Sequence, residues 1–154
     1  MILYPSLISR LKDQHASINR LIEDLDDTRM TYRPEPGKWN IHDNITHLAV
    51  YQPIMINRIK AILEKENPTF DPYRADNDEI FITWREWPTH KLLSRLYTDR
   101  ETLYQLVTNL SNAELNRTGI HLKFGKMTIV RWTEFFLLHE AHHQFTIFRL
   151  VQSS

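Results

Sequence analysis

The sequence predicts an all-α domain folded as a four-helix bundle. Three observations carry that prediction: apolar residues recur mostly at helical rather than alternating spacing, only three glycines occur in 154 residues, and proline and glycine mark the joints between periodic stretches. A chain of this length fits one domain over residues 1–154, able to bury about two thirds of its unfolded surface in a single core.

The first helix is expected from about Ser6 to Arg29, where Leu7, Leu11, Ile18, Leu21, Ile22 and Leu25 form one stripe, ending before Pro34-Glu35-Pro36-Gly37. The second opens after Trp39, with Asn40 as cap and Asp43 at the third helical position, close to a capping box, and runs to about Glu66. Pro53 lies inside it and predicts a kink near Ala49 to Gln52 unless the helix breaks there. Asn67 to Pro88 reads as a long aromatic-rich connection, the crossover between helices 2 and 3. The third helix is expected from about Thr89 to Leu110, with Pro88 at its entry. Ser111-Asn112-Ala113-Glu114 reads as a fresh capping box, and Arg117 to Met127, holding Gly119 and Gly125, as a loop or a short hairpin. Thr128 caps the last helix, Ile129 to about Val151. Four long helices with one long crossover make a bundle.

Composition narrows the function. Lys plus Arg balance Asp plus Glu at 19 each, so no net field steers the chain to nucleic acid or an anionic membrane. The absence of cysteine removes thiolate catalysis, disulfides and sulfur-ligated metal together. Met1-Ile2-Leu3-Tyr4-Pro5 lacks a signal-peptide pattern, and no stretch approaches about 18 uninterrupted apolar residues, so a cytoplasmic soluble protein is expected.

Eight histidines are many for this length, and three fall within His139-Glu140-Ala141-His142-His143. On a helix, His139 and His143 lie one turn apart and about 40° around the axis, so both can address one ion. Three readings compete: the H-E-x-x-H of zinc proteases, part of a three-histidine site completed elsewhere, or a hydrogen-bonded histidine pair without metal. Helical projection puts both on the apolar stripe of Trp132, Phe136 and Leu150, where an unpaired imidazole costs about 1–3 kcal/mol. His142 projects to the stripe's edge. His47 is the third candidate, with Asp43 one turn before it, able to accept an imidazole N–H, and Tyr51 one turn after. His42 is expected to be exposed, and His15 to be a core or edge histidine. His90 and His121 carry no signal.

The stretch Lys38-Trp39-Asn40-Ile41-His42-Asp43-Asn44-Ile45-Thr46-His47-Leu48 resembles the W-[ST]-[IV]-x-[EQ]-x-x-x-H-[LI] segment of the DinB/YfiT-like superfamily, and His139 to His143 resembles its C-terminal H-x-x-x-H. The order of elements resembles that family along essentially the whole chain. Asn40 and Asp43 stand where Ser or Thr and Glu or Gln are more usual, a change that keeps the capping chemistry. The resemblance implies a four-helix bundle and a divalent metal held by His47, His139 and His143. Zinc is the first choice, with nickel, iron or manganese able to take the same donors.

The family includes thiol-dependent S-transferases and isomerases, proposed metal-dependent hydrolases and proteins of unknown activity. A metal-dependent transferase or hydrolase acting on a small molecule, with a low-molecular-weight thiol as a possible cosubstrate, is the function this implies. The alternative is a non-catalytic metal-binding or dimerising module. The protease reading lacks its downstream ligand, since Thr146 and Arg149 stand where Gly and His are required. Tyr51, Asp43, Asp71, Tyr73 and Arg74 are candidates to orient a ligand, and Glu140 is expected to bind a neighbouring helix or solvent. Leu137, Leu138, Ala141, Phe145 and Phe148 make the last helix apolar nearly all round, which predicts a homodimer.

Overall fold

The structure is a computed structural model, and it describes residues 1–153. Four helical columns surround the core. The first combines α1 (Pro5–Asp13), a 3-10 turn at Gln14–Ala16 and α2 (Ser17–Ile22), followed by a separate short helix, α3 (Asp27–Thr31). The other columns are α4 (Ile41–Glu64), α6 (Thr89–Thr108) and α8 (Ile129–Ser153). Between α4 and α6 lie β1 (Thr69–Phe70), a 3-10 turn and α5 (Glu79–Trp84), and between α6 and α8 lie α7 (Asn112–Leu115), β2 (Thr118–His121) and β3 (Gly125–Thr128). Among the described residues no helix is long and apolar enough to cross a membrane.

The expected single helix from Ser6 to Arg29 is broken. Asp26 has extended backbone and its side chain accepts from Arg29 N, so it starts a new helix where periodicity alone continues the old one. The second helix matches its expected start: Asn40 Oδ1 accepts from Asp43 N at 2.8 Å and Asp43 Oδ2 accepts from Asn40 N at 3.0 Å, completing the capping box. It continues through Pro53 without a break, although the proline ring has no N–H to give the Ala49 carbonyl.

The 67–88 connection is more ordered than periodicity indicated. β1 pairs in parallel with β2, which pairs antiparallel with β3, making a three-stranded sheet in the order β1-β2-β3. The hairpin reading of 117–127 is therefore the correct one. Gly125 occupies a left-handed conformation at its turn (φ 80°). Gly119 lets the sheet approach α4, since a Cβ there would meet Ile62 Cγ1 at 2.8 Å.

Two apolar clusters fill the bundle. One joins Leu7 and Leu11 to Met55, Ile59, Leu103, Trp132 and Phe136, and the other joins Ile18 to Ile45, Leu48, Leu92, Leu96 and Ile147. A polar knot also lies within the bundle. Arg100 on α6 and Glu140 on α8 form an ion pair, both almost wholly buried. Arg100 Nε donates to Gln52 Oε1 at 3.0 Å, and its Nη1 donates to the Leu11 carbonyl and to His15 Nδ1, each at 3.2 Å. Glu140 thus binds neighbouring helices rather than solvent. His15 is the satisfied core histidine its stripe position suggested.

Candidate metal centre

Between the two apolar clusters, α4 and α8 bring His47, His139 and His143 together. The capping box sets the start of α4, and His47 follows two turns later on the buried face. The i, i+4 spacing on α8 then presents two imidazoles to it. One ligating nitrogen from each ring lies within 4.8 Å of the others, and His47 Nε2 approaches His139 Nε2 to 2.9 Å. The ring centroids are 4.4–4.9 Å apart, so neither apolar side chains nor carboxylates separate them.

Burial holds all three rings neutral. Desolvation pushes His47 down to about 2, His143 to about 3 and His139 to about 4, with neighbouring imidazoles reinforcing each shift and Arg58 adding to that of His139. A neutral imidazole keeps one lone pair for a metal.

One tautomer follows from the hydrogen bonds. Asn44 Nδ2 donates to the Asn40 carbonyl at 2.8 Å, so its Oδ1 must face His143, where it accepts from Nδ1 at 2.8 Å. The Nε2 lone pair of His143 is left for the site. His47 and His139 differ: each has a buried Nδ1 with no hydrogen-bond partner among the described residues.

The donor set fits a divalent ion. With metal–nitrogen bonds of about 2.0–2.1 Å, two donors on one ion sit roughly 2.9–3.4 Å apart, and the His47–His139 separation reaches that range. Without an ion, two neutral acceptor-capable nitrogens face one another and one must carry a proton solely to satisfy its neighbour.

Aromatic rings wall the cluster. Trp39 packs 5.1 Å from His47 and 6.0 Å from His143, and stacks on Phe81 of α5, which ties the crossover to the site. Tyr73, from the same crossover, stacks on His47 at 5.5 Å. Tyr51 lies 4.3 Å from His139. Arg58 Nη1 donates to the Tyr51 hydroxyl at 3.2 Å and Nη2 to the Asp71 carbonyl at 2.8 Å. Burial holds the Tyr51 phenol above its ordinary value, and Arg58 opposes that shift only in part.

Several expectations are corrected. Asp43 does not meet His47: Oδ2 caps Asn40 and pairs with Arg33 at 2.6 Å, while Oδ1 pairs with Arg85 at 2.7 Å. Asn44 supplies the acceptor instead, to a different histidine. His42 is half-buried rather than exposed. Its Nε2 donates to the Arg85 carbonyl at 2.9 Å and its Nδ1 accepts from the Thr89 hydroxyl at 3.0 Å. Asp71 contributes only its carbonyl, and Arg74 is exposed with no contact to the cluster. His142, projected to the stripe's edge, is exposed. His121 is buried and closes the β2–β3 turn by accepting from Lys123 N and Phe124 N. Asn44, Arg58 and Arg100 were missed, although the spacing of Asn44 four residues after the capping Asn40 was a usable signal.

A helical bundle with a three-histidine cluster between α4 and α8 is the class that fold and site define. The chain belongs to the DinB superfamily, whose family model matches residues 10–147. Two Oceanobacillus iheyensis proteins, each named "Putative metal-dependent hydrolase", are similar to it. They are 25% identical over 88% of this chain and 78% of the relative, and 24% identical over 86% and 78%. YfiT from Bacillus subtilis, described as a probable metal-dependent hydrolase with an unusual four-helix bundle topology, has a similar structure. Its TM-score is 0.80 at 20% identity, covering 96% of this chain and 85% of YfiT. A DinB-like protein of the same organism, YjoA, matches with a TM-score of 0.64 at 19% identity, covering 96% and 91%. Both structures show the shared fold.

Proposed function

We propose that this protein holds a divalent metal ion, zinc first, through His47, His139 and His143, and that it catalyses a metal-dependent reaction on a small molecule. Hydrolysis is the leading reaction and transfer of a low-molecular-weight thiol the second. The observation carrying this reading is the convergence of three neutral imidazoles, His47 buried and His139 and His143 half-buried, on one point, with two Nε2 atoms 2.9 Å apart. The names borne by the Oceanobacillus relatives and by YfiT favour hydrolysis. When bound, the ion supplies Lewis-acid activation of water or thiol at coordination positions that three protein ligands leave open.

The chain's own residues do the rest. Asn44 fixes the ring of His143 and directs its Nε2 into the site. Trp39 and Tyr73 cover His47 and limit access of bulk water. The Tyr51 oxygen accepts from Arg58, which leaves its own proton free to be donated to a bound substrate. Arg58, buried and without a salt bridge among the described residues, adds positive potential where negative charge would develop.

Exposed Leu138 and Phe145 on α8 favour a homodimer through that face. Metal analysis of purified protein tests the centre, with His47→Ala and His143→Ala expected to lose the stoichiometric ion. Wild type without metal, or variants that retain it, would refute the site. Turnover of ester, amide and thiol-acceptor panels, lost on metal stripping and restored on reloading, tests catalysis. Sedimentation of the same preparation tests the dimer.

A further inference from the structure

A cavity of about 840 Å³ opens beside the histidine cluster, between the 34–39 loop and the C-terminal half of α8. Its inner wall is formed by Trp39, Asn44 and His143. The volume lies within the range of small-molecule sites. Phe148 and Leu150 add apolar surface, and Lys38 and Arg149 bring two cations to the rim. Neither cation has a salt bridge among the described residues, and Glu35 is the one carboxylate among the described lining residues. The wall is built rather than draped: Arg33 Nη1 donates to the Lys38 carbonyl at 2.6 Å and pairs with the buried Asp43 at 2.6 Å, pinning the loop to the start of α4.

We infer that this cavity is a binding subsite for an amphipathic organic acid, with the acid group at Lys38 and Arg149 and the apolar body against Trp39 and Phe148. Two cations without a salt bridge among the described residues, over an apolar and aromatic floor, are complementary to that chemistry rather than to a neutral polar molecule or a cation. The inference rests on the proposed metal centre for its meaning, since a ligand here lies against His143 and Asn44. It makes the substrate an organic anion whose acid group sits at the rim and whose apolar body faces His143.

Calorimetric titration of metal-free and cobalt-loaded protein with 4-phenylbutyrate, phenethyl phosphate and neutral 4-phenylbutyramide is the test. At least one acid should bind roughly tenfold tighter than the amide at low salt, and the tighter acid identifies the group as carboxylate or phosphate. The preference should fall below about twofold in Lys38→Gln/Arg149→Gln, and acid binding should perturb the visible cobalt spectrum because His143 forms part of the wall. Equal binding of acids and amide, no binding at all, or a preference that survives the double substitution overturns the inference. A protein that takes up no cobalt overturns the metal reading instead, and the titration of metal-free protein still decides the subsite.

Discussion

Replacing Asn44 by leucine removes the contact that sets the tautomer of His143, a proposed metal-binding histidine. Asn44 is 1% exposed, and leucine keeps its branched heavy-atom skeleton, with bulkier methyl ends, but has no acceptor for His143 Nδ1–H. In the wild type the bond spans 2.8 Å and its direction is enforced by the donation from Asn44 Nδ2 to the Asn40 carbonyl. Without it, His143 joins His47 and His139 in having a buried Nδ1 with no partner, and the ring no longer has a preferred orientation. Loss of such a supporting contact typically weakens metal binding by about 10–100-fold, or about 1.4–2.8 kcal/mol. The metal-free protein loses two neutral hydrogen bonds, about 0.5–1.5 kcal/mol each, offset in part by burial of the new methyl groups. The loss of metal affinity should therefore be read on folded protein, separately from this loss of stability. Competition against a chromophoric zinc chelator at constant pH reads it directly. Asn44→Asp, which restores an acceptor, should recover most of the affinity. A folded Asn44→Leu protein that binds zinc within about threefold of wild type would refute the tautomer assignment.

Further outcomes follow from the buried polar groups. Arg100→Met leaves Glu140 charged and unpaired in the core, so calorimetry should show a loss of about 3–5 kcal/mol, or roughly 6–20 °C in melting temperature. Arg100→Met/Glu140→Met should regain much of it, and an unchanged single variant would show that the pair is not desolvated. For pH, the native imidazoles of His15, His47, His139 and His143 protonate only at about 2–4, whereas the unfolded chain takes up those protons near 6.5. The unfolded state binds more protons across that window, so metal-free stability is fully present above about pH 7 and falls as pH drops from 6.5 toward 4. Urea denaturation at pH 7.5 and pH 5 measures the slope. His15→Gln, outside the histidine cluster, should reduce it, and a flat wild-type profile would contradict neutral burial.

Much of the fold was legible because its signals are local. A capping residue and its reciprocal partner lie three positions apart, so the Asn40–Asp43 and Ser111–Glu114 boxes could be read directly. The site was partly legible for the same reason: helical spacing alone places His139 beside His143. Glu140 was harder. Its partner Arg100 lies on another helix, and nothing in a pentapeptide marks its second residue as the buried half of an ion pair.

The sequence by itself determined an all-α bundle, three of its four main helices to within a turn or so, the histidine pair on α8, and His47 as a residue of the buried second helix. These depend on backbone hydrogen bonding and side-chain periodicity within a few residues. Only the tertiary structure decided that the first column breaks before Asp26, that β1 leaves the crossover to pair with β2, and that Asp43 serves Arg33 and Arg85 while Asn44 serves His143. It also decided that His47 meets His139 across 92 residues of chain. Such partners are selected by which helix faces pack against each other, and that choice is made by the whole core rather than by spacing along the chain.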